Sequence, residues 1–271
     1  MPEGPETRTY ADHIRERYKN HKLEEIYDTK RNPQISKQNW DLIKLPSKLI
    51  NVESFGKKVV LEFENEIFVV ISFGLTGVPK FSKGKFTDLI FTFENGFIYF
   101  DNKRKIGNII VTTDLEEALK DVGPDWFDEV DYDLFHSILS TTIKSGKNKN
   151  QLKYGNKQIC QILMDQKLMA GVGNYIKAEA LYRNKMSPKR LIKDINDKEM
   201  KDLYDNIKDV MNESYKAGGY SRSDYLQPDG NKGMFKTEVY GFRNKNQKGE
   251  KVVTEKCKDG RTTYWVPLVQ K

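Results

Sequence analysis

The sequence predicts an α+β chain: an N-terminal helix, then a β-sandwich or barrel, then a helical second half that closes on β-like segments. Before residue 114, short period-two segments alternate with turn residues, and after it the apolar spacing turns helical. At 271 residues there is room for two cores, and 37% hydrophobic content is ordinary for a globular protein. The division expected is 1–125 and 126–271, the latter helical over 126–218 and β-like over 235–271.

After Pro5, the residues Tyr10, Ile14 and Tyr18 recur every four positions, as on an amphipathic helix with proline in its first turn. Strands are expected at 22–28, 48–54, 57–64, 67–73, 86–93, 97–100 and 108–112, with Glu94-Asn95-Gly96 as a hairpin turn. Asp114 and Glu117 have the spacing of a capping box opening a short helix. Further helices are expected at 132–139, 157–165, 175–184 and 197–216. In the last, Met200, Leu203, Tyr204, Ile207 and Met211 share one face, and Gly218-Gly219 is the stop. The run 144–150 reads as a solvated loop, and β-like segments follow at 236–242, 251–256 and 261–269.

Composition excludes several classes. The most apolar stretch, 59–73, is broken by Glu62, Glu64 and Glu66, so no membrane span is expected, and the acidic N-terminus does not read as a signal peptide. Cys160 and Cys257 form no CxxC pair, and His13, His21 and His136 lie away from both in sequence. Neither a metal site nor a disulfide framework is expected, and a reducing compartment follows. A net charge of +7 favours a polyanionic partner, and basic residues gather beside glycine, amide and aromatic positions at 55–58, 102–105 and 260–264, which suits phosphate contacts.

Pro2 carries the chemistry with most consequence. Removal of Met1 would leave it a secondary α-amine; α-amino groups titrate near ~8, against ~10.4 for lysine, so much of it is nucleophilic at neutral pH. Attack on the anomeric carbon of a sugar would displace a base and leave an iminium that acidifies the neighbouring carbon. Glu3 is placed to move the protons. Taken alone, the segment Pro2-Glu3-Gly4-Pro5-Glu6 also reads as no more than a rigid helix start.

Met1-Pro2-Glu3-Gly4-Pro5-Glu6 resembles the N-terminus of the formamidopyrimidine-DNA glycosylase and endonuclease VIII family. Further matches follow in the family's order at Phe55-Gly56-Lys57, Phe73-Gly74-Leu75-Thr76-Gly77, 101–107, 164–175 and 260–271. The resemblance implies that Pro2 is the Schiff-base nucleophile, Glu3 the acid and base at the deoxyribose, Glu6 an organiser of the site, and Lys57 a hairpin lysine that contacts phosphate and assists elimination. Segment 164–175 looks like the family's helix-two-turn-helix, in which Gly173 brings backbone amides to a phosphate and Asn174 adds a donor.

Leu75, Arg104 and Ile106 match residues that fill the space left by a flipped nucleotide. Ile106 departs from the family's common phenylalanine, and Leu75 and Ile106 also read as ordinary core residues. At the C-terminus Arg261 matches the arginine of the family's β-hairpin finger. Many relatives hold that finger with zinc, whereas here Cys257 stands without partners and Val266, Pro267 and Val269 occupy potential ligand positions. A zincless finger is expected, ordered by Val239, Tyr240, Val252, Tyr264, Trp265 and Val266.

The full expectation is an N-terminal β-sandwich domain with its helix, then a helix-two-turn-helix domain ending in a zincless finger. The activity implied is bifunctional: base excision, then cleavage of the abasic strand by β- and δ-elimination. Oxidised pyrimidines are the favoured substrate, with formamidopyrimidines or 8-oxoguanine as the alternative; a non-catalytic nucleic-acid binder is the competing class. No cofactor is expected. The partner is damaged DNA, double- or single-stranded, met by a monomer inside the cell: in the nucleus of a eukaryote, or the cytoplasm of a bacterium or of a cell hosting a cytoplasmic virus.

Overall fold

Apolar alternation before residue 114 produces eight strands in the computed structural model, which describes residues 2–145, 149–220 and 225–271. They are β1 (Lys22–Asp28), β2 (Ser47–Phe55), β3 (Lys58–Phe63), β4 (Ile67–Ser72), β5 (Gly77–Lys80), β6 (Thr87–Phe93), β7 (Gly96–Asn102) and β8 (Asn108–Thr112). With the helices α1 (Gly4–Tyr18), α2 (Pro33–Ser36) and α3 (Leu115–Leu119), and the later segment Ser214–Phe235, they make the first of two compact units.

The strands pair antiparallel in the order β5-β7-β6-β1-β2-β3-β4-β8. β1 meets β2 only at Lys22↔Lys48 and Leu23↔Ser47, so the strip divides into two four-stranded halves. Phe63 from one half and Phe91 from the other meet edge to face at 6.4 Å, as inner faces of a sandwich do. α1 packs on β2 and β3 and buries Tyr10, Ala11, Ile14 and Tyr18 in this core. Asp114 accepts the Glu117 N–H at 2.9 Å and starts α3.

Three local readings change. β5 was not legible because it is a four-residue edge strand containing Pro79, which an edge tolerates because its missing N–H faces no partner. In the β6–β7 hairpin Phe93 pairs with Gly96, so Glu94 and Asn95 are the turn and Gly96 closes it. The unit also takes in Ser214–Phe235, so it is not the contiguous 1–125 segment of the sequence division. Tyr225 stacks on Tyr10 at 5.7 Å, Tyr215 Oη donates to Asp12 at 2.6 Å, and the Phe81 N–H donates to the Pro228 carbonyl at 2.9 Å. Residues 221–224 of that stretch lie outside the described residues.

The second unit comprises Val122–Glu213 and Lys236–Lys271. Its elements are α4 (Tyr132–Ser140), β9 (Thr142–Ser145), β10 (Lys149–Leu152), α5 (Ile159–Leu163), α6 (Asn174–Arg183), α7 (Asp197–Lys216, counted here to Glu213), β11 (Val253–Lys256) and β12 (Thr262–Trp265). Trp126 is fully buried against Phe135 and Tyr204, with ring centroids 5.4 and 5.8 Å away. The expected loop at 144–150 is instead largely the paired ends of β9 and β10, with 146–148 outside the described residues.

α6 is buried from Tyr175 to Tyr182, and this includes the charged Lys177 and Glu179. Glu179 accepts the backbone N–H groups of Glu238, Val239 and Tyr240 at 2.6, 3.0 and 2.7 Å. Those amides cannot then serve a ladder, so the β-like segment expected at 236–242 is a set of turns. Burial pushes the Glu179 carboxyl up even though three amides hold it down. No helix among the described residues is long and apolar enough to cross a membrane.

Glu179→Ala should leave the three amides without their acceptor and lower stability by about 3 kcal/mol or more in urea unfolding. An unchanged midpoint would show that these bonds contribute nothing.

Candidate active site

The chain start is held by reciprocal capping. Glu3 is the N-cap of α1: its side chain accepts the Glu6 N–H, while the Glu3 N–H donates to Glu6 Oε2 at 2.8 Å. The second oxygen of Glu6 accepts the Tyr220 N–H at 2.8 Å. Pro2 is buried, and Glu3 and Glu6 are only 3% and 2% exposed. Two fixed carboxylates therefore stand within four residues of the Pro2 nitrogen. Burial first, then Tyr225 and Glu6, pushes the neighbouring Tyr10 hydroxyl well above the ordinary tyrosine range. Met1, whose removal the Pro2 chemistry requires, lies outside the described residues.

Lys57 sits with Gly56 in the two-residue turn between β2 and β3, where Phe55 pairs with Lys58 and Gly56 adopts a φ of +58°. α1 runs antiparallel to β2: Arg15 Nη1 donates to the Val52 carbonyl at 2.9 Å, and the Asn20 N–H to the Leu49 carbonyl at 2.8 Å. Back from Arg15 to Gly4 the helix rises about 16 Å. On from Val52 to Lys57 the strand advances about 16 Å as well. The start of α1 and the Lys57 turn thus lie at the same end of this unit. The next residue, Lys58, has a structural part: its Nζ donates to the Ala118 carbonyl at 3.1 Å, and burial pulls it below the ordinary lysine range.

The three residues matched to void filling come from two loops that the fold joins. Leu75 lies between β4 and β5, and Arg104 and Ile106 between β7 and β8. The Arg104 N–H donates to Thr76 Oγ1 at 3.2 Å. A Cβ on Gly74, at φ +61°, would stand 1.8 Å from the Ile106 carbonyl oxygen, so only glycine permits this approach. Ile106 is 47% exposed, Leu75 half-buried and Arg104 exposed. The core alternative therefore fails for Ile106.

In the second unit Gly173 is the N-cap of α6. Asn174 is already engaged: its Nδ2 donates to the Thr262 carbonyl at 2.9 Å, tying the start of α6 to β12. Gln166 orders the preceding loop by donating to the Met164 and Val172 carbonyls at 3.1 and 2.9 Å and accepting the Gly171 N–H at 3.1 Å. Arg261 is exposed in the turn before β12, which is closed by the Cys257 N–H on the Arg261 carbonyl at 3.1 Å. Beneath that turn Lys177 pairs with Asp259, both side chains buried.

Residues 1–109 match the formamidopyrimidine-DNA glycosylase N-terminal domain, and residues 136–225 match its H2TH domain. A formamidopyrimidine-DNA glycosylase of Solibacter usitatus is 30% identical over 190 residues, 69% of this chain and 67% of that one. The chain belongs to the formamidopyrimidine-DNA glycosylase family. The Wolbachia relative from Brugia malayi, also a formamidopyrimidine-DNA glycosylase, is 29% identical over the whole of both chains. The MutM (Fpg) protein of Thermus thermophilus shares the fold with a TM-score of 0.84 and 24% identity, over 99% of this chain and 98% of that one.

Zinc, which the resemblance associates with many members of this family, does not fit the donors here. No group of three or more His, Cys, Asp or Glu among the described residues is arranged to hold a metal ion. The two cysteines, distant in sequence, are both buried near the finger turn, and burial followed by Asp259 pushes the Cys160 thiol up to about 12. Of the apolar residues expected to order the finger, Val239, Val252 and Val266 form a cluster with Ala178 and Tyr182, and Tyr240 and Tyr264 pack against it. Trp265 stands apart, with Lys189 5.4 Å from its ring and its Nε1 donating to Glu255 at 2.7 Å. Lys177, Glu179 and Asp259 were not singled out from sequence. For the first two the signal was there: they are the charges in a stretch, Tyr175 to Tyr182, that is otherwise apolar or aromatic.

Gly74→Ala should force the two loops apart and lower stability by about 1–3 kcal/mol. A thermal midpoint equal to that of the parent would show that the loops tolerate separation.

Proposed function

We propose that this family member is a bifunctional DNA glycosylase and abasic-site lyase whose nucleophile is the Pro2 amine, freed by removal of Met1. The observation that carries the reading is the Glu3–Glu6 capping box, which fixes two buried carboxylates one and four residues after Pro2. The amine attacks C1′ of the damaged nucleotide, the C1′–N bond breaks and the base leaves with a proton supplied through Glu3; the C1′–O4′ bond then opens, O4′ taking the proton released by the amine, and a C1′=N iminium is left. The resulting iminium acidifies C2′; loss of that proton expels the 3′ phosphate, and a second elimination expels the 5′ phosphate. Lys57 contacts phosphate at the elimination step, and Glu6 keeps the chain start rigid. Hydrolysis of the Schiff base returns the amine.

Damaged DNA is the partner, met by a monomer. The N-terminal amides of α6 at Gly173 and Asn174 contact phosphate, with Arg261 as a second contact. Leu75, Arg104 and Ile106 occupy the space of the flipped nucleotide. The finger acts without zinc. Relatives named for formamidopyrimidine favour that ring-opened base class as the substrate, ahead of the oxidised pyrimidines that the sequence reading preferred.

Borohydride reduction with abasic DNA should trap a covalent adduct with the processed chain and none when Met1 is retained. Glu3→Gln should slow excision of formamidopyrimidine or oxidised pyrimidine far more than cleavage of a preformed abasic site. Failure of the processed chain to form any adduct would leave a non-catalytic DNA-binding protein as the reading. Arg261→Ala should weaken DNA binding about tenfold with the fold intact, and equal affinity would remove Arg261 from the interface.

A further inference from the structure

The backbone on both sides of Arg261 is tied to one helix. On its N-terminal side Asp259 uses one carboxylate oxygen to accept the Arg261 N–H at 3.0 Å and the other to pair with Lys177 Nζ. On its C-terminal side the Thr262 carbonyl accepts Asn174 Nδ2, and Thr263 Oγ1 lies 2.9 Å from Lys177 Nζ. Lys177 and Asn174 are both on α6, one turn apart. The side chains of Lys177 and Asp259 are 0% and 1% exposed, while Arg261 is exposed.

A buried ion pair is a poor device for stability alone, because removing both charges from water costs most of what their attraction returns, and an apolar pair fills the same volume at less cost. What an apolar pair cannot do is hold a carboxylate so that its second oxygen caps a chosen amide. Lys177 has three donors and no acceptor; two of its contacts fall on residues flanking Arg261 in the turn.

We propose that Lys177 is a positioning residue for Arg261. Acting through Asp259 and Thr263, it sets the finger turn on α6 so that the Arg261 guanidinium and the amides at the start of the same helix meet the DNA backbone as one rigid set. The proposal rests on the reading of Arg261 as a phosphate contact. Lys177 itself touches no DNA.

The test is a double-mutant cycle on the full chain, with dissociation constants for a duplex carrying a stable abasic-site analogue and urea midpoints for each variant. K177M should weaken binding about tenfold, as R261A does, and K177M/R261A should bind no more weakly than R261A alone, since the lysine acts only through the arginine. K177R should recover most of the affinity. Because K177M strands a buried carboxylate, K177M/D259L provides the control for folding: its midpoint should return towards that of the parent while its affinity stays low. Losses that multiply in K177M/R261A, or affinity that returns together with stability in K177M/D259L, would make Lys177 merely structural. If R261A binds as tightly as the parent, the phosphate reading of Arg261 itself falls, a result distinct from either of those.

Discussion

The reciprocal hydrogen bonding of Glu3 and Glu6 is the constraint on which the proposed chemistry depends. An N-terminal amine is ordinarily the least ordered group in a chain, and a nucleophile with that freedom spends most of its time out of reach. Here the capping box stops the chain from fraying one residue after Pro2, and Glu6 is held again by the Tyr220 amide. The rest of the first unit follows from holding α1 in place. Tyr10, Ile14 and Tyr18 press it into the sandwich, and its antiparallel run along β2 brings its start level with the Lys57 turn. A helix start that looks ordinary in sequence is held by two buried carboxylates, and the proposed removal of Met1 would make its first nitrogen an amine.

Much of this was legible beforehand, for identifiable reasons. β1, β8 and α7 fall on the residues expected because their periodicity is strong and their ends carry clear turn or cap residues. The proline, lysine, glycine-asparagine and arginine motifs were visible because each is a run of adjacent residues. What escaped was pairing over long sequence distances. Nothing local announces that Tyr225 stacks on Tyr10, or that the backbone at 238–240 is claimed by Glu179. Periodicity reads 236–242 as a strand because its side chains alternate suitably; the amides go elsewhere, and no property of the segment itself says so.

The finger illustrates the same point in its energetics. The resemblance implies a finger without zinc ligands, and the apolar residues that remain suggest hydrophobic order as the substitute. Val239, Val252 and Val266 do cluster, but polar anchoring accompanies them: α6 presents one buried cation and one buried anion, each satisfied by the segment it holds. Apolar contact resists separation without fixing orientation, whereas a carboxylate shared between an ammonium and a backbone amide does both. For the phosphate contact proposed for Arg261, which is exposed and in a turn, orientation matters more than adhesion.

Mapping the covalent adduct tests the central claim most directly. After borohydride trapping with abasic DNA, nuclease and tryptic digestion should leave the sugar remnant on the peptide that begins at Pro2 and ends at Arg8, with fragmentation placing the added mass on the proline nitrogen. A remnant on Lys57, or on any other lysine, would contradict the account: the amine of Pro2 would then be a helix start after all.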